Sequence, residues 1–210
     1  MSTVKFNPVI ESFSRAIGNL VFLEYDGIPY VKSKVIPANP NSPAQQEVRG
    51  AFAALGPVWR QLGTIMKAAW HAHSKKGKRR RMRGLATFMA ANARKQRLCE
   101  PLELCPGLGE EALSSFSAAP GSAAGSIDCS FTRAPSGEGK HITLFVHRKE
   151  NGHANGDLTR IALGAKQQSP YTIANLVSGS QYFVYAVLTD KALEEAETVS
   201  ASSSALSCAR

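Results

Sequence analysis

No stretch of the 210 residues approaches the roughly 18 consecutive apolar residues that a membrane-spanning helix needs. Lys5, Glu11 and Arg15 interrupt every apolar run near the N-terminus, so a signal-peptide core is missing as well. Both absences point to a protein made in the cytoplasm without a membrane span. Cysteine is sparse: Cys99, Cys105, Cys129 and Cys208 form no C-x-x-C pair and no other zinc spacing. They read as reduced thiols, with Cys129 buried. The chain also has no G-x-S-x-G, P-loop or H-E-x-x-H motif. His71 and His73 stand two apart, too close to share one helical face, and no carboxylate cluster lies near them in sequence. GLGEE and GEGK lack the strand-to-helix setting of a phosphate loop. The expectation is a non-enzymatic protein with no cofactor and no metal.

What is present is a folded composition, 43% hydrophobic and 20% charged, with a formal net charge of +9. That charge is unevenly placed. Residues 1–100 hold 17 Lys and Arg against 5 Asp and Glu, whereas residues 101–210 hold 8 against 11. The first half is thus +12 and the second −3, and an excess of this size favours anionic partners. It is concentrated in HAHSKKGKRRRMRG, where Lys75, Lys76, Lys78, Arg79, Arg80, Arg81 and Arg83 are seven of nine consecutive residues. Such a run has three readings: a solvated loop of mutually repelling charges, a sequence-independent grip on the phosphate backbone of DNA or RNA, or a contact with an acidic protein surface. Direct base readout is disfavoured, because no helix carries Asn, Gln and Arg at base-reading spacing.

Periodicity divides the chain into three segments. In residues 17–36, two β-branched and aromatic runs flank Asp26-Gly27, the dipeptide preferred by a two-residue type I′ turn, which predicts a β-hairpin. A two-stranded hairpin is marginal alone, so it needs either the following helices or strands of another copy. Helices are expected at about 42–62, 64–74 and 83–98. Ser42 suits an N-cap, Pro43 the first helical position and Gln45 the far end of a capping box. Val48, Phe52, Leu55, Trp59 and Leu62 form one apolar seam, and Gly56-Pro57 is expected to kink or split that helix. Trp59 and Trp70 could serve as base-stacking platforms, but large aromatics at helical spacing belong more often to a core, with Phe88 of the third helix as their partner. After LCEPLELCPGLG the pattern changes to short alternating strands: ALSSFSA, SIDCSF, HITLFVHR, DLTRIALG, YTIANL, QYFVYAVLT and TVSASSSAL. Six or seven short strands in about 100 residues predict a β-sandwich. Ile127, Cys129 and Phe131, and Ile142, Leu144 and Val146, are its inward residues.

The stretch YTIANLVSGSQYFVYAV resembles the fibronectin type III and immunoglobulin-like pattern, through Leu176, the Ser178-Gly179 turn and Tyr182. The resemblance covers about residues 108–210. It implies that Tyr182 is a tyrosine-corner residue whose hydroxyl ties the turn to the backbone. The front half resembles a group of uncharacterised phage and prophage proteins. The carriers are G-N-L-V-F at 18–22, Y-V-K-S-K at 30–34, N-P-x-S-P-A-Q-Q-x-x-R-x-x-F at 39–52, Trp59, Trp70 and a G-L-x-x-F-x-x-x-N segment at 84–92. This resemblance implies a virion-associated structural protein, made in a host cytoplasm, whose partners are other copies of itself and other virion proteins.

The expected architecture is therefore α+β in two domains. A basic hairpin and helical domain spans 1–98, a linker 99–107 and an antiparallel sandwich 108–210. The basic half would anchor the chain in an assembly and the sandwich would project as spacer or adhesion module.

Overall fold

The computed structural model describes residues 2–3, 15–25, 28–36, 38–76, 83–109, 113, 115–132, 140–150, 153–165 and 169–210. It is a mixed α and β protein whose contacts divide it into two units, residues 1–41 and 42–210.

The first unit is one antiparallel sheet. The hairpin strands are β3 (Leu20–Tyr25) and β4 (Ile28–Ser33), in register from Leu20 opposite Ser33 to Tyr25 opposite Ile28. The turn residues Asp26 and Gly27 lie outside the described residues. The chain supplies the hairpin with its own flanking strands: β1 (Ser2–Thr3) pairs with β4 and β2 (Arg15–Ile17) pairs with β3, giving the order β1-β4-β3-β2. The hairpin thus becomes a four-stranded sheet without borrowing a strand from another molecule.

The second unit begins with three helices, α1 (Pro43–Gln61), α2 (Thr64–Lys76) and α3 (Gly84–Leu98). Pro43 occupies the first turn of α1, but Ser42 makes no side-chain capping bond, so the expected capping box is absent; its carbonyl accepts the Gln46 N–H at 3.0 Å. Pro57 does not split α1, which runs unbroken through it. The apolar seam is shifted as well. Ala51, Leu55, Val58 and Leu62 are buried, whereas Val48 and Phe52 are 37% and 46% exposed. The N-terminal half of α1 therefore presents part of its apolar face outward. Periodicity reports which residues share a face, and only the packing decides how much of that face is covered.

After α3 comes the β-region: β5 (Pro106–Leu108), β6 (Ser115–Pro120), β7 (Ile127–Thr132), β8 (His141–Glu150), β9 (His153–Gly164), β10 (Tyr171–Ile173), β11 (Gln181–Thr189), β12 (Val199–Ala201) and β13 (Ser203–Cys208). The expected last strand is divided at Ser202 into β12 and β13, both paired with β11. One sheet has the order β10-β7-β6; the other runs β5-β12-β11-β8-β9, with β13 beside β11. Their facing sides share one core. Ile127, Cys129 and Phe131 of β7 meet Ile142, Leu144 and Val146 of β8 and Tyr182, Val184, Ala186 and Leu188 of β11.

The opposite side of the larger sheet is equally apolar. Phe145, Phe183, Tyr185, Val187 and Val199 form a second core with Leu55, Val58, Leu62, Met66, Trp70 and Phe88 of the helices. Strands β8 and β11 are thus covered on both faces, which is why QYFVYAVLT reads as a continuous apolar run rather than an alternating one. The order of layers is helices, larger sheet, smaller sheet.

Residues 99–107 close this arrangement. Leu102, Leu104 and Cys105 are 3%, 0% and 1% exposed, so the segment lies inside the body instead of leading out of it. Asn92 of α3 binds both main-chain groups of Glu103: its Nδ2 donates to the carbonyl at 3.0 Å and its Oδ1 accepts the N–H at 2.7 Å. The Tyr185 hydroxyl accepts the Leu102 N–H at 2.9 Å, Trp70 Nε1 donates to the Leu104 carbonyl at 3.0 Å, and Ser202 Oγ accepts the Leu104 N–H at 3.1 Å. Here the structure departs from the two-domain expectation: the helices share a core with the sandwich, and the compact unit boundary falls at 41/42. The physical reason is the second apolar face of the larger sheet, which requires a cover.

Candidate anion-binding surface on the helical layer

Residues 42–98 contain 13 Lys and Arg and one acidic residue, Glu47. Almost all the excess charge of the first half therefore belongs to the helical layer, while residues 1–41 hold four Lys and Arg against three Asp and Glu. No helix has an acidic residue in its first turn, and Arg60, Lys95 and Arg97 occupy last turns, where cations meet the negative end of the helix dipole. Arg97 Nε meets Glu47 Oε1 at 3.0 Å and Lys95 Nζ meets Glu103 Oε2 at 3.5 Å. Both pairs are substantially solvated and each is worth no more than about 1 kcal/mol. Within the segment one carboxylate stands against thirteen cations, so the layer keeps a large uncompensated positive charge.

The basic run connects α2 to α3. Lys75 and Lys76 fall in the last turn of α2, and Arg83 is the exposed N-cap of α3. Lys78, Arg79, Arg80 and Arg81 lie outside the described residues. The ends of α2 and α3 are tied to each other. His71 Nδ1 accepts the Gly84 N–H at 3.2 Å, the Ser74 hydroxyl donates to the His71 carbonyl at 2.7 Å, and the Arg83 carbonyl accepts the Thr87 N–H at 3.1 Å. A Cβ on Gly84 would stand 3.0 Å from His71 Cγ and from its backbone nitrogen, so glycine permits the two helices to close here. With Nδ1 accepting, the His71 proton belongs on Nε2.

Below the stem, the aromatic residues lock the layer. Trp70 stands edge-on to Phe88 with ring centroids 5.6 Å apart, and Trp59 is tilted against Phe88 at 5.3 Å. Trp70 is 1% and Phe88 0% exposed, and Trp59 packs half-buried against the same core. Trp70 and Phe88 are internal, with no open ring face for a base. At the far end of the sandwich, Tyr182 Oη accepts the Val177 N–H at 3.0 Å, Leu176 packs on the sandwich core, and Gly179 takes φ +73° while its N–H reaches the Ala209 carbonyl at 2.9 Å.

Sequence reasoning found the dense run and did not single out Arg49, Arg60, Lys67 and Arg94 of the same helices. The signal available was the ratio of cations to carboxylates over the whole helical segment. It also missed Ser202 as a clamp on residues 99–107.

Among the described residues no group of three His, Cys, Asp or Glu could hold a metal ion. An open groove of about 420 Å³ is lined by Lys95 of α3, by Glu100 and Glu103 of the segment that follows it, and by Ser202 and Ser204. The four cysteines are free. Burial pushes the Cys105 thiol up to about 11, with the Glu103 charge adding to it against the lowering effect of the Gly107 N–H; burial and the neighbouring Asp128 push Cys129 up to about 12. Neither is poised as a nucleophile. No helix is long and apolar enough to cross a membrane among the described residues.

No protein-family model matches the chain, and no curated protein matches it. Solved structures that share part of its shape include a family 76 glycoside hydrolase from a bovine Bacteroides thetaiotaomicron strain, at 22% identity over 48% of this chain with a TM-score of 0.40. This chain covers 20% of that hydrolase's length. A myokine structure is 12% identical over 49% of this chain and all of its own, with a TM-score of 0.39. An Fn3-like protein from Clostridium thermocellum is 20% identical, covering 46% of this chain and 88% of its own, with a TM-score of 0.30.

Proposed function

We propose that the chain is a non-enzymatic structural component of a phage-like particle, held in its assembly by an anionic partner that lies against the cationic helical layer. The carrying observation is the charge segregation, thirteen cations against one carboxylate in residues 42–98. The helices and the sandwich share one core, so the projecting spacer or adhesion module of this reading is the whole body of residues 42–210. Its sandwich is read as fibronectin type III-like, on the strand order and the Tyr182 tie to Val177. The sequence resemblance to phage and prophage proteins supplies the setting, with other virion proteins as partners and virion association as the location.

A second reading is favoured by the basic run at the α2–α3 connection: the anionic partner is the DNA or RNA phosphate backbone, bound without sequence preference. Retention of duplex DNA and of RNA on filters across a salt series decides between them. The nucleic-acid reading expects retention at low salt that falls steeply as salt rises, with a shallower slope once residues 78–81 are changed to Gln. Absence of retention at low ionic strength leaves the acidic-protein form of the proposal. That form is tested by binding to polyglutamate under the same conditions, and no binding to any polyanion overturns the reading altogether.

A further inference from the structure

The first N–H groups of a helix have no acceptor within it, and at the start of α3 the acceptor is supplied by α2. Gly84, the first residue of α3, is buried, and its N–H donates to His71 Nδ1 at 3.2 Å. His71 itself is exposed. A histidine nitrogen accepts a hydrogen bond only while it carries no proton, and histidine is the side chain whose charge ordinarily changes between about pH 5 and 8. The bond that ties α2 to α3 at the root of the basic connection therefore exists only while the His71 ring is neutral.

The elements around His71 offer a protonated ring no counter-charge. Lys67 and Lys75 stand one turn before and one turn after it on α2, with His73 beside them. Lys67 Nζ donates to the Arg60 carbonyl of α1 at 3.2 Å, and Arg83 caps the start of α3. Among the described residues, α2 also packs on β5 and β12, neither of which holds a titratable residue. Residues 48–99 contain no Asp or Glu at all. A carboxylate or phosphate that meets an imidazolium here must come from outside the helical layer.

We infer that His71 is a proton-dependent latch of the cationic layer: neutral, it holds the first residue of α3 to α2, and protonated, it releases that bond and adds one positive charge where the anionic partner binds. This rests on the anionic-partner reading above and supplies its regulation. An anion on the layer and a proton on His71 favour each other by the same factor, so binding takes up a proton and tightens as pH falls. Where the anion is a phosphate backbone, one further contact steepens the salt slope by about 0.9, which at about 0.1 M salt is up to about eightfold in affinity.

Two readouts on the full chain test this. The first follows the Gly84 amide by proton–nitrogen NMR from about pH 8 to pH 5.5, with no partner present. Its shift should move with the His71 ring titration, and its hydrogen exchange should accelerate as the ring gains its proton. In His71→Asn, whose side-chain oxygen accepts the same N–H without titrating, the Gly84 amide should stay fixed, and the rest of the spectrum reports that the variant is folded. A wild-type Gly84 amide that ignores the ring titration overturns the latch. The second readout is retention of duplex DNA and of polyglutamate at pH 8 and pH 6. The wild type should bind more tightly at pH 6, His71→Asn should lose that gain, and His73→Gln should keep it. An equal gain in His71→Asn and the wild type overturns the coupling. Retention of neither polyanion at either pH overturns the anionic-partner reading and the coupling with it, while the Gly84 titration decides the latch by itself, so the two failures are distinguishable.

Discussion

Replacing Asn92 by Ala tests whether the helices and the sandwich are one cooperative body. Asn92 is fully buried and its amide binds the carbonyl and the N–H of Glu103, besides bonding back to the Phe88 carbonyl at 3.1 Å. The Phe88 bond is dispensable, since that carbonyl is already placed to accept within α3. The two Glu103 groups lose their partner, and each unsatisfied buried group costs about 1–3 kcal/mol. Glu103 is only partly buried, so the lower end applies, about 1 kcal/mol for each group. The space left by the missing amide adds about 1 kcal/mol more. The expected loss is about 3 kcal/mol, or roughly 6–12 °C in Tm for a unit of this size. Thermal and urea unfolding followed by circular dichroism are the assays, and near-ultraviolet and far-ultraviolet signals should move together in one lowered transition. A loss below about 0.5 kcal/mol, or a helical transition separating from the β transition, would refute both the role of Asn92 and the shared body.

Four further outcomes follow from the same packing. Phe52→Ala should cost less than about 1 kcal/mol and Leu55→Ala about 2–5 kcal/mol in urea unfolding, although both lie on the seam read from periodicity, because only Leu55 is fully covered. Tyr182→Phe should lose about 1–2 kcal/mol by leaving the Val177 N–H without its acceptor, and equal stability of the two proteins excludes a tethering role for the hydroxyl. In native protein at pH 8, thiol reagents should modify Cys208 and Cys99 well before Cys105 and Cys129, as peptide mapping by mass can show. Both buried thiols have folded values raised above the ordinary 9.0, so their contribution is complete below pH 9 and is lost as pH rises through about 11 for Cys105 and about 12 for Cys129. Stability should therefore fall by up to about 1.4 kcal/mol per pH unit per thiol above pH 9, and Cys129→Ala should flatten part of that fall.

The parts of the fold that are local in sequence were legible in it. Alternation placed Ile127, Cys129 and Phe131 on the correct side of β7, and Asp26-Gly27 marked the connection between β3 and β4. The α2–α3 connection could be read from the flanking helical periods, and the local excess of positive charge from the dense run within it. What was not legible depends on contacts made over long separations. Residues 99–107 look like a linker because Pro and Gly punctuate them, yet Trp70, Tyr185 and Ser202 bind them from 34, 83 and 98 residues away. The helices looked like a separate domain because the second apolar side of β8 and β11 has no partner in its own neighbourhood. Its run of Phe183, Tyr185 and Val187 was the available signal, since a strand apolar on both sides requires a cover on both. The outward exposure of Val48 and Phe52 had no signal in the sequence at all.

The helical cover over the larger sheet also limits where the sandwich can recognise anything. A sandwich ordinarily keeps the outer side of each sheet for solvent or for partners, and here one of those sides is spent on internal packing. The remaining outer side belongs to β6, β7 and β10, where Ser115 bonds Thr132 at 2.8 Å and Thr172 bonds Asp128 at 2.5 Å across neighbouring strands. Among the described residues it is small, hydroxyl-rich and without aromatic anchors, a poor platform for tight association.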